Sequence, residues 1–147
     1  NNPRRVIRAL EIAIKTEKPF SEQRKVGKPL FNFLEMGIEW PKNILDERIN
    51  KRVDSMIKDG LLEEVKSLVK KYGSKQQSFD AIGYREIINY FDKKIMLNEA
   101  VELIKKNTRN YAKRQMTWFR KDKRIHWIMN GQVAENSIKK FIKNDKM

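Results

Sequence analysis

The chain contains no cysteine and a single histidine, His126. Without cysteine there can be no disulfide framework and no thiolate zinc site, and this composition fits the cytoplasm, which is the compartment we expect. One histidine provides neither a His/Cys/carboxylate metal cluster nor a credible Ser-His-Asp triad. Because His126 precedes Trp127 in a candidate strand, we predict a structural role for it.

Long apolar runs and phosphate-binding glycine loops are also missing. No run of about 18 apolar residues occurs, which predicts that the chain has no transmembrane helix. The first residues, Asn-Asn-Pro-Arg-Arg, do not resemble a signal peptide. The chain has six glycines, and none of them falls in the spacing of a Walker-type loop.

Acidic residues are few compared with basic ones. The 147 residues include 33 Lys and Arg against 19 Asp and Glu, for a net charge of +14. Such a field attracts polyanions and speeds their association. For the lysines in general, a merely solvated surface remains an equal alternative. The arginines are more informative because they cluster at motifs.

The pattern along the chain is mostly helical. A helix begins at Asn2-Pro3, where Pro occupies the first helical position. Further helices are predicted over 44–59, 61–72, 84–91, from 98 onward and over 134–142, with a polar loop over 74–80. Strands are predicted over 30–40 and 124–129. Two isolated strands do not make a stable sheet, so we expect them to complete a sheet whose other strands lie upstream of Asn1.

The long helix after residue 98 has two contrasting faces at 100° per residue. An apolar stripe carries Val101, Ile104, Thr108, Tyr111, Gln115 and Trp118, and the nearly opposite face carries Lys106, Arg109, Lys113, Thr117 and Arg120. The second face is a cationic ridge that can follow a phosphate backbone. An unpaired amide such as that of Gln115 costs about 1–3 kcal/mol in a core. This helix is therefore predicted to bind a ligand as well as to support the fold.

Three other basic features remain open to two interpretations. Arg52 lies at the border of the apolar side of the 44–59 helix, where a half-sheltered guanidinium can grip phosphate or simply extend along its helix. In Ala81-Ile82-Gly83-Tyr84-Arg85, the glycine allows close approach, the tyrosine can stack on a base and the arginine can hold phosphate. The first helix carries a basic patch of Arg4, Arg5 and Arg8, which is either a binding patch or a solvated surface.

Several of these segments, taken in order, resemble the tRNA dimethylallyltransferase family, also called tRNA isopentenyltransferases or IPP transferases. The resemblance rests on Asn2-Pro3-Arg4-Arg5-Val6-Ile7-Arg8-Ala9-Leu10-Glu11, Arg48-Ile49-Asn50-Lys51-Arg52-Val53, Gly60-Leu61-Leu62-Glu63-Glu64-Val65, Ile82-Gly83-Tyr84-Arg85, Thr108 to Arg120 and Ile125-His126-Trp127. It covers nearly the whole chain, whereas the chain resembles only the C-terminal half of the family.

The resemblance implies an α/β, P-loop NTPase-like transferase fold, of which this chain is the mostly helical C-terminal half with a few strands completing the parallel sheet. Residues 1–28 would end a helical insertion that grips tRNA, 29–130 would form the C-terminal part of the catalytic core, and 131–147 would form a C-terminal helix or tail. The phosphate-binding loop of the kind found in ATP-binding proteins would lie in the N-terminal half of the family, together with the carboxylate general base. This part alone is then expected to be inactive.

The resemblance also implies a reaction and its partners. A dimethylallyl group would pass from dimethylallyl diphosphate to the exocyclic amine of the adenosine adjacent to the anticodon, at position 37 of the tRNA. Mg²⁺ would be bound mainly by the N-terminal half, with no metal ligand in this chain. The partners would be the tRNA anticodon stem-loop and dimethylallyl diphosphate, and the protein would be a cytoplasmic monomer without membrane contact.

By position, Arg52 would hold the diphosphate leaving group. The residues assigned to tRNA are Arg4, Arg5, Arg8, Asp80, Gly83, Tyr84, Arg85, Arg109, Lys113, Arg114, Gln115, Thr117, Trp118 and Arg120. The alternative function is a non-enzymatic basic helical module that binds RNA or DNA through charge, with similar affinity for any hairpin.

Overall fold

The computed structural model describes residues 2–19, 21–22 and 30–144, and the chain divides into two compact units, Asn1–Phe33 and Leu34–Met147. The first unit contains helix α1, Pro3–Thr16. Its predicted start is confirmed, with Pro3 in the first turn, although the side chain of Asn2 forms no capping hydrogen bond. Val6 and Leu10 of this helix are more than half exposed within the described chain.

The second unit contains five helices, a 3₁₀ turn and two short strands among its described residues. They follow in the order β1 (Met36–Ile38), α2 (Lys42–Lys58), α3 (Leu61–Tyr72), a 3₁₀ helix (Gln77–Asp80), α4 (Tyr84–Phe91), α5 (Leu97–Phe119), β2 (His126–Ile128) and α6 (Gly131–Asn144). The helices predicted over 61–72 and 84–91 are confirmed at both ends, and the other helices of this unit begin or end within one turn of the prediction. The predicted loop over 74–80 includes the 3₁₀ helix.

Helices α2 to α5 share one hydrophobic core. Its buried members are Val53 of α2, Leu61 and Val65 of α3, Ile87 of α4, and Ala100 and Ile104 of α5. At the edge of this core, Lys105 Nζ lies 2.8 Å from Asp54 Oδ1 and so joins α5 to α2. The hydrogen bond to Asp54 raises the pKa of Lys105.

Each helix of the described residues is too short or too polar to cross a membrane.

The two strands pair with each other in parallel. Met36 lies opposite His126, Gly37 opposite Trp127 and Ile38 opposite Ile128. The two strands therefore form one parallel pair, and each is shorter than predicted. Hydrogen bonds from Glu39 N–H to the Ile128 carbonyl and from His126 N–H to the Glu35 carbonyl extend the pairing at its ends. Their completion of a larger sheet stays a prediction. A Cβ on Gly37 would lie 2.7 Å from Cζ3 of Trp127, so the indole ring occupies the space that any larger residue would need.

Candidate functional site

A groove of about 1100 Å³ lies between the connection from β1 to α2 and the C-terminal half of α5; we call it the α5 groove. One wall is formed by residues 35–42 and the first turns of α2. The other wall is formed by α5, and residues in and beside β2 complete the groove. The rings of Trp40, Phe119 and Trp127 supply apolar and aromatic surface. The groove therefore offers flat rings to a ligand in addition to charge.

Helix α5 can line this groove because only its N-terminal half is packed in the core. Ala100 and Ile104 are buried, whereas Tyr111 is 47% exposed and Trp118 is 68% exposed. The predicted apolar stripe packs in the core only in its first half, and Tyr111, Gln115 and Trp118 are exposed. This exposure is consistent with the prediction that the helix does more than support the fold. Helical periodicity defines a face, but it does not show how far the neighbouring helices extend along it.

Four of the residues assigned to tRNA come together in the groove: Arg109, Lys113, Gln115 and Arg120. They bring three cationic groups and one amide to the same wall. Of the five residues on the predicted cationic ridge, Arg109, Lys113 and Arg120 line the groove, whereas Lys106 and Thr117 do not. The binding role of the ridge stays a prediction.

Three neighbouring candidates on α5 lie outside the groove lining. The Arg114 guanidinium lies 5.7 Å from the ring centroid of Tyr111. The Thr117 hydroxyl donates to the backbone carbonyl of Lys113 at 2.9 Å. The Trp118 ring meets Phe119 edge-on, with centroids 5.0 Å apart. These side chains are exposed and are not brought into the groove.

Three of the four groove cations have a side-chain partner, and for Arg120 that partner lies across the groove. Arg109 Nη1 donates to Asn50 Oδ1 at 2.6 Å. Arg120 forms an ion pair with Glu39, and Lys42 Nζ lies 2.7 Å from Asp46 Oδ2. Lys113 is exposed. Sequence reasoning did not select Glu39 or Asn50, because each lies far along the chain from the cation that it contacts.

A second candidate region lies at the beginning of α4. Gly83 has φ of +101°, a left-handed conformation that favours glycine, and its N–H donates to Glu86 Oε2 at 2.8 Å. The Tyr84 hydroxyl donates to Glu64, which raises the pKa of Tyr84. The Tyr84 ring stacks against Phe79 with centroids 6.0 Å apart. Asp80 and Arg85 are exposed.

Glu86 connects this region to α5. It is 2% exposed and also accepts hydrogen bonds from Arg85 Nη2 at 3.0 Å and Asn107 Nδ2 at 2.8 Å. Burial raises the pKa of Glu86, but the hydrogen bonds from Gly83, Asn107 and Arg85 outweigh it and hold the pKa below its usual value. A Glu at the third position of a helix often accepts a hydrogen bond from the N–H of the residue just before the helix. This capping pattern could have identified Glu86 from the sequence.

The proposed diphosphate ligand Arg52 is exposed on α2 among the described residues. Of the two interpretations left open for Arg52, this exposure favours a side chain that extends along its helix. It lies two turns after Leu45, a groove-lining residue, on the same stripe of the helix. One turn before it, the Arg48 guanidinium lies 4.7 Å from the Trp40 ring centroid. The core contacts of α2 centre on Ile49 and Val53, which leaves Arg52 outside the packed side. Its catalytic role stays a prediction.

The three arginines of the first unit are exposed on α1. Arg8 Nη1 lies 3.2 Å from Glu11 Oε2, one turn later on the same helix. The assignment of Arg4, Arg5 and Arg8 to tRNA stays a prediction, as does the division at residues 28 and 130.

Comparison with known proteins identifies relatives of this sequence. A family model described as IPP transferase matches residues 1–122. A tRNA dimethylallyltransferase of Carboxydothermus hydrogenoformans is 45% identical over 141 residues, which cover 94% of this chain and 45% of that protein. A tRNA dimethylallyltransferase of Fusobacterium nucleatum is 45% identical over 144 residues, covering 97% of this chain and 48% of that protein.

Solved structures agree with these relatives. A tRNA delta(2)-isopentenylpyrophosphate transferase from Staphylococcus epidermidis matches 98% of this chain and 50% of its own, with 40% identity and a TM-score of 0.70. A full-length tRNA isopentenylpyrophosphate transferase from Bacillus halodurans matches 98% of this chain and 45% of its own, with 38% identity and a TM-score of 0.70. The chain spans about half the length of the curated relatives it matches. With most of its length matched by the family model, the chain belongs to the IPP transferase family.

Proposed function

We propose that this chain takes part in the transfer of a dimethylallyl group from dimethylallyl diphosphate to the exocyclic amine of the adenosine adjacent to the tRNA anticodon, giving N6-isopentenyladenosine. The matched relatives carry names for this type of reaction. The observation that carries the proposal to this chain is that Arg109, Lys113, Gln115 and Arg120 line one groove together with aromatic rings.

The reaction forms a bond between the adenine amine and the first carbon of the dimethylallyl group. The bond from that carbon to the diphosphate oxygen breaks, and the amine proton passes to a general base, which we propose lies outside this chain. Negative charge builds on the departing diphosphate, and we assign its stabilisation to Arg52. A guanidinium presents two parallel donors to phosphate oxygens, and such electrostatic stabilisation is often the largest catalytic contribution.

The groove suits a nucleic acid loop with unstacked bases. An adenine must leave its stack before its amine can react, and aromatic rings such as those of Trp40 and Phe119 can stack on bases of a loop. Lys113 and Arg120 would contact phosphates, whose binding is strongly salt-dependent. We propose the tRNA anticodon stem-loop as the occupant, with the segment from Asp80 to Arg85 as a further contact.

The wider setting is also proposed. Parallel strands need a crossover connection, and here α2 to α5 lie between β1 and β2. This supports a P-loop NTPase-like transferase fold in which further parallel strands extend the pair, in a cytoplasmic, monomeric enzyme.

The described residues contain no group of three or more His, Asp and Glu side chains arranged for a metal. No step here is assigned to Mg²⁺, which we propose is bound mainly by residues outside this chain.

Nucleoside mass spectrometry of tRNA tests the reaction directly. Cells of the source organism that lack the gene should lose N6-isopentenyladenosine and its derivatives, and the intact gene should restore them. Unchanged levels would contradict the proposal and favour a non-enzymatic RNA-binding module. That alternative is disfavoured by the names of the matched relatives, and it requires equal affinity for any hairpin, with or without the loop adenine.

A further inference from the structure

The α5 groove is nearly neutral, although the chain as a whole carries a net charge of +14. Its charged lining consists of four cationic side chains, Lys42, Arg109, Lys113 and Arg120, and three acidic ones, Glu35, Glu39 and Asp46. A groove that held only a phosphate backbone would gain nothing from three carboxylates, because they repel it. The acidic residues therefore call for a second kind of ligand group.

Glu39 is the carboxylate with the most direct effect on a phosphate contact. It forms an ion pair with Arg120 from across the groove, 81 residues later in the chain. The backbone N–H of Glu39 donates to the carbonyl of Ile128 at 2.9 Å, which fixes its position beside the strand pair. The Arg120 side chain is 59% exposed and that of Glu39 is 35% exposed, so a ligand in the groove can reach both.

We propose that Glu39 is a specificity-determining residue that competes with RNA phosphate for Arg120. This inference rests on the proposed function. When an RNA phosphate binds Arg120, the Glu39 carboxylate loses its cationic partner and at the same time lies next to a polyanion. That state is unfavourable unless the ligand supplies a donor to Glu39.

An unstacked nucleobase can supply that donor. Base amino groups donate hydrogen bonds to carboxylates, and the rings of Trp40, Phe119 and Trp127 line the same groove for stacking. A paired A-form RNA duplex presents its phosphates, but the amino groups of its adenines and cytosines face a deep, narrow major groove that side chains cannot read. Glu39 thus favours RNA with an unpaired, amino-bearing base beside a phosphate, and it disfavours phosphate backbone alone.

Binding by the full-length protein tests this inference, with an anticodon hairpin and a fully paired RNA duplex of equal length as ligands. We expect Glu39→Gln to tighten duplex binding about two- to fivefold, the range expected from the loss of an exposed ion pair. The salt dependence of duplex binding should steepen by about 0.9 in log–log slope. Hairpin binding should stay equal or weaken, so the preference for the hairpin falls.

A matched control removes the same charge elsewhere. Glu135 of α6 pairs with Lys139 at 2.6 Å and does not line the groove. Glu135→Gln should change hairpin and duplex binding by the same factor. In an Arg120→Ala background, Glu39→Gln should tighten duplex binding less than it does in the wild type, because the competition has been removed and only direct charge repulsion remains.

The outcomes separate this inference from the proposed function. If the Glu39→Gln and Glu135→Gln variants preferred the hairpin equally, while Arg120→Ala still weakened tRNA binding, the role of Glu39 would be overturned. The proposed function would not be affected by that result. If Arg120→Ala left tRNA affinity unchanged, the assignment of the groove to RNA would fail as well. Loss of the tRNA modification in the gene deletion would still establish the reaction in that case.

Discussion

The Arg109 guanidinium on α5 donates a hydrogen bond of 2.6 Å to the side-chain oxygen of Asn50 on α2, 59 residues earlier in the chain. The two residues are half-buried, and Arg109 also lines the α5 groove. This hydrogen bond therefore joins two core helices. It also fixes the orientation of the Arg109 guanidinium, which we propose contacts RNA.

Loss of this contact should destabilise the protein. Hydrogen bonds to charged groups contribute about 1.5–3 kcal/mol, so we expect Asn50→Ala to lower the free energy of unfolding by about that amount. A double-mutant cycle with Arg109→Ala, measured by urea unfolding of the full-length protein, should give a coupling free energy above about 0.5 kcal/mol. Asn50→Asp, which keeps an acceptor oxygen, serves as the control. Strictly additive effects of the two alanine substitutions would contradict this prediction.

Gly37 should not tolerate even a methyl group. Its Cβ would lie 2.7 Å from Cζ3 and 2.8 Å from Cε3 of Trp127, too close unless the strand pair or the ring moves. Overpacking of this kind costs about 1–3 kcal/mol, which we expect thermal or urea unfolding of Gly37→Ala to show. Gly131→Ala, where nothing lies within 4 Å of the added Cβ, should leave stability nearly unchanged. Equal stabilities of the two variants would argue against this packing.

Glu86 should make stability depend on acid pH. Its pKa in the folded protein lies below the ordinary value of 4.5. Its ionised form thus contributes fully above pH 4.5, and the contribution is lost as the pH falls through the folded pKa. We expect Glu86→Gln to lower the free energy of unfolding by about 1–3 kcal/mol near neutral pH. The difference from the wild type should shrink in acid. A difference that stays constant from pH 7 to acid would show that the carboxylate charge makes no contribution.

Arg52 should affect turnover more than RNA binding. If its guanidinium stabilises the departing diphosphate, Arg52→Ala in the full-length enzyme should lower kcat by about 100- to 1000-fold. The affinity for tRNA should change much less. Lys51→Ala removes a neighbouring cation that pairs with Glu47 at 2.7 Å on the exposed side of α2, and it provides the matched control. Normal turnover in Arg52→Ala would refute the assigned role.

Lys113 should contribute to RNA affinity through charge. Lys113→Ala should weaken tRNA binding by the full-length protein and reduce the slope of log affinity against log salt by about 0.7–0.9. Lys139→Ala, on α6 and outside the groove lining, removes an equal charge as a control. Identical salt slopes for the wild type and Lys113→Ala would mean that this face of α5 is only solvated.

Most helix ends could be predicted because local chemistry determines them. Gly60 lies two residues after the end of α2 and Gly73 directly after α3, and both adopt positive φ, as expected for glycines that end helices. The strands were less predictable. Their three-residue length depends on pairing between segments about 90 residues apart, which no local pattern reveals.

The candidate site was predictable only in part. Helical periodicity placed Arg109, Lys113 and Arg120 together, and the groove confirms their proximity. It could not identify Glu39 or Asn50, since those contacts depend on how α2 and β1 pack against α5. It also could not choose between the two interpretations of Arg52, because an edge position on an amphipathic helix becomes sheltered only if another element packs beside it.

The pairing of β1 with β2 also has a consequence for the order in which the molecule is assembled. Helices α2 to α5 lie between the two strands in sequence, and they share a core that needs neither strand. Closing a loop of about 90 residues is entropically costly until those helices have packed and brought its ends together. We therefore expect the helices to associate first during synthesis. The groove that Glu39 and Trp127 help to line then takes shape only after β2 has left the ribosome.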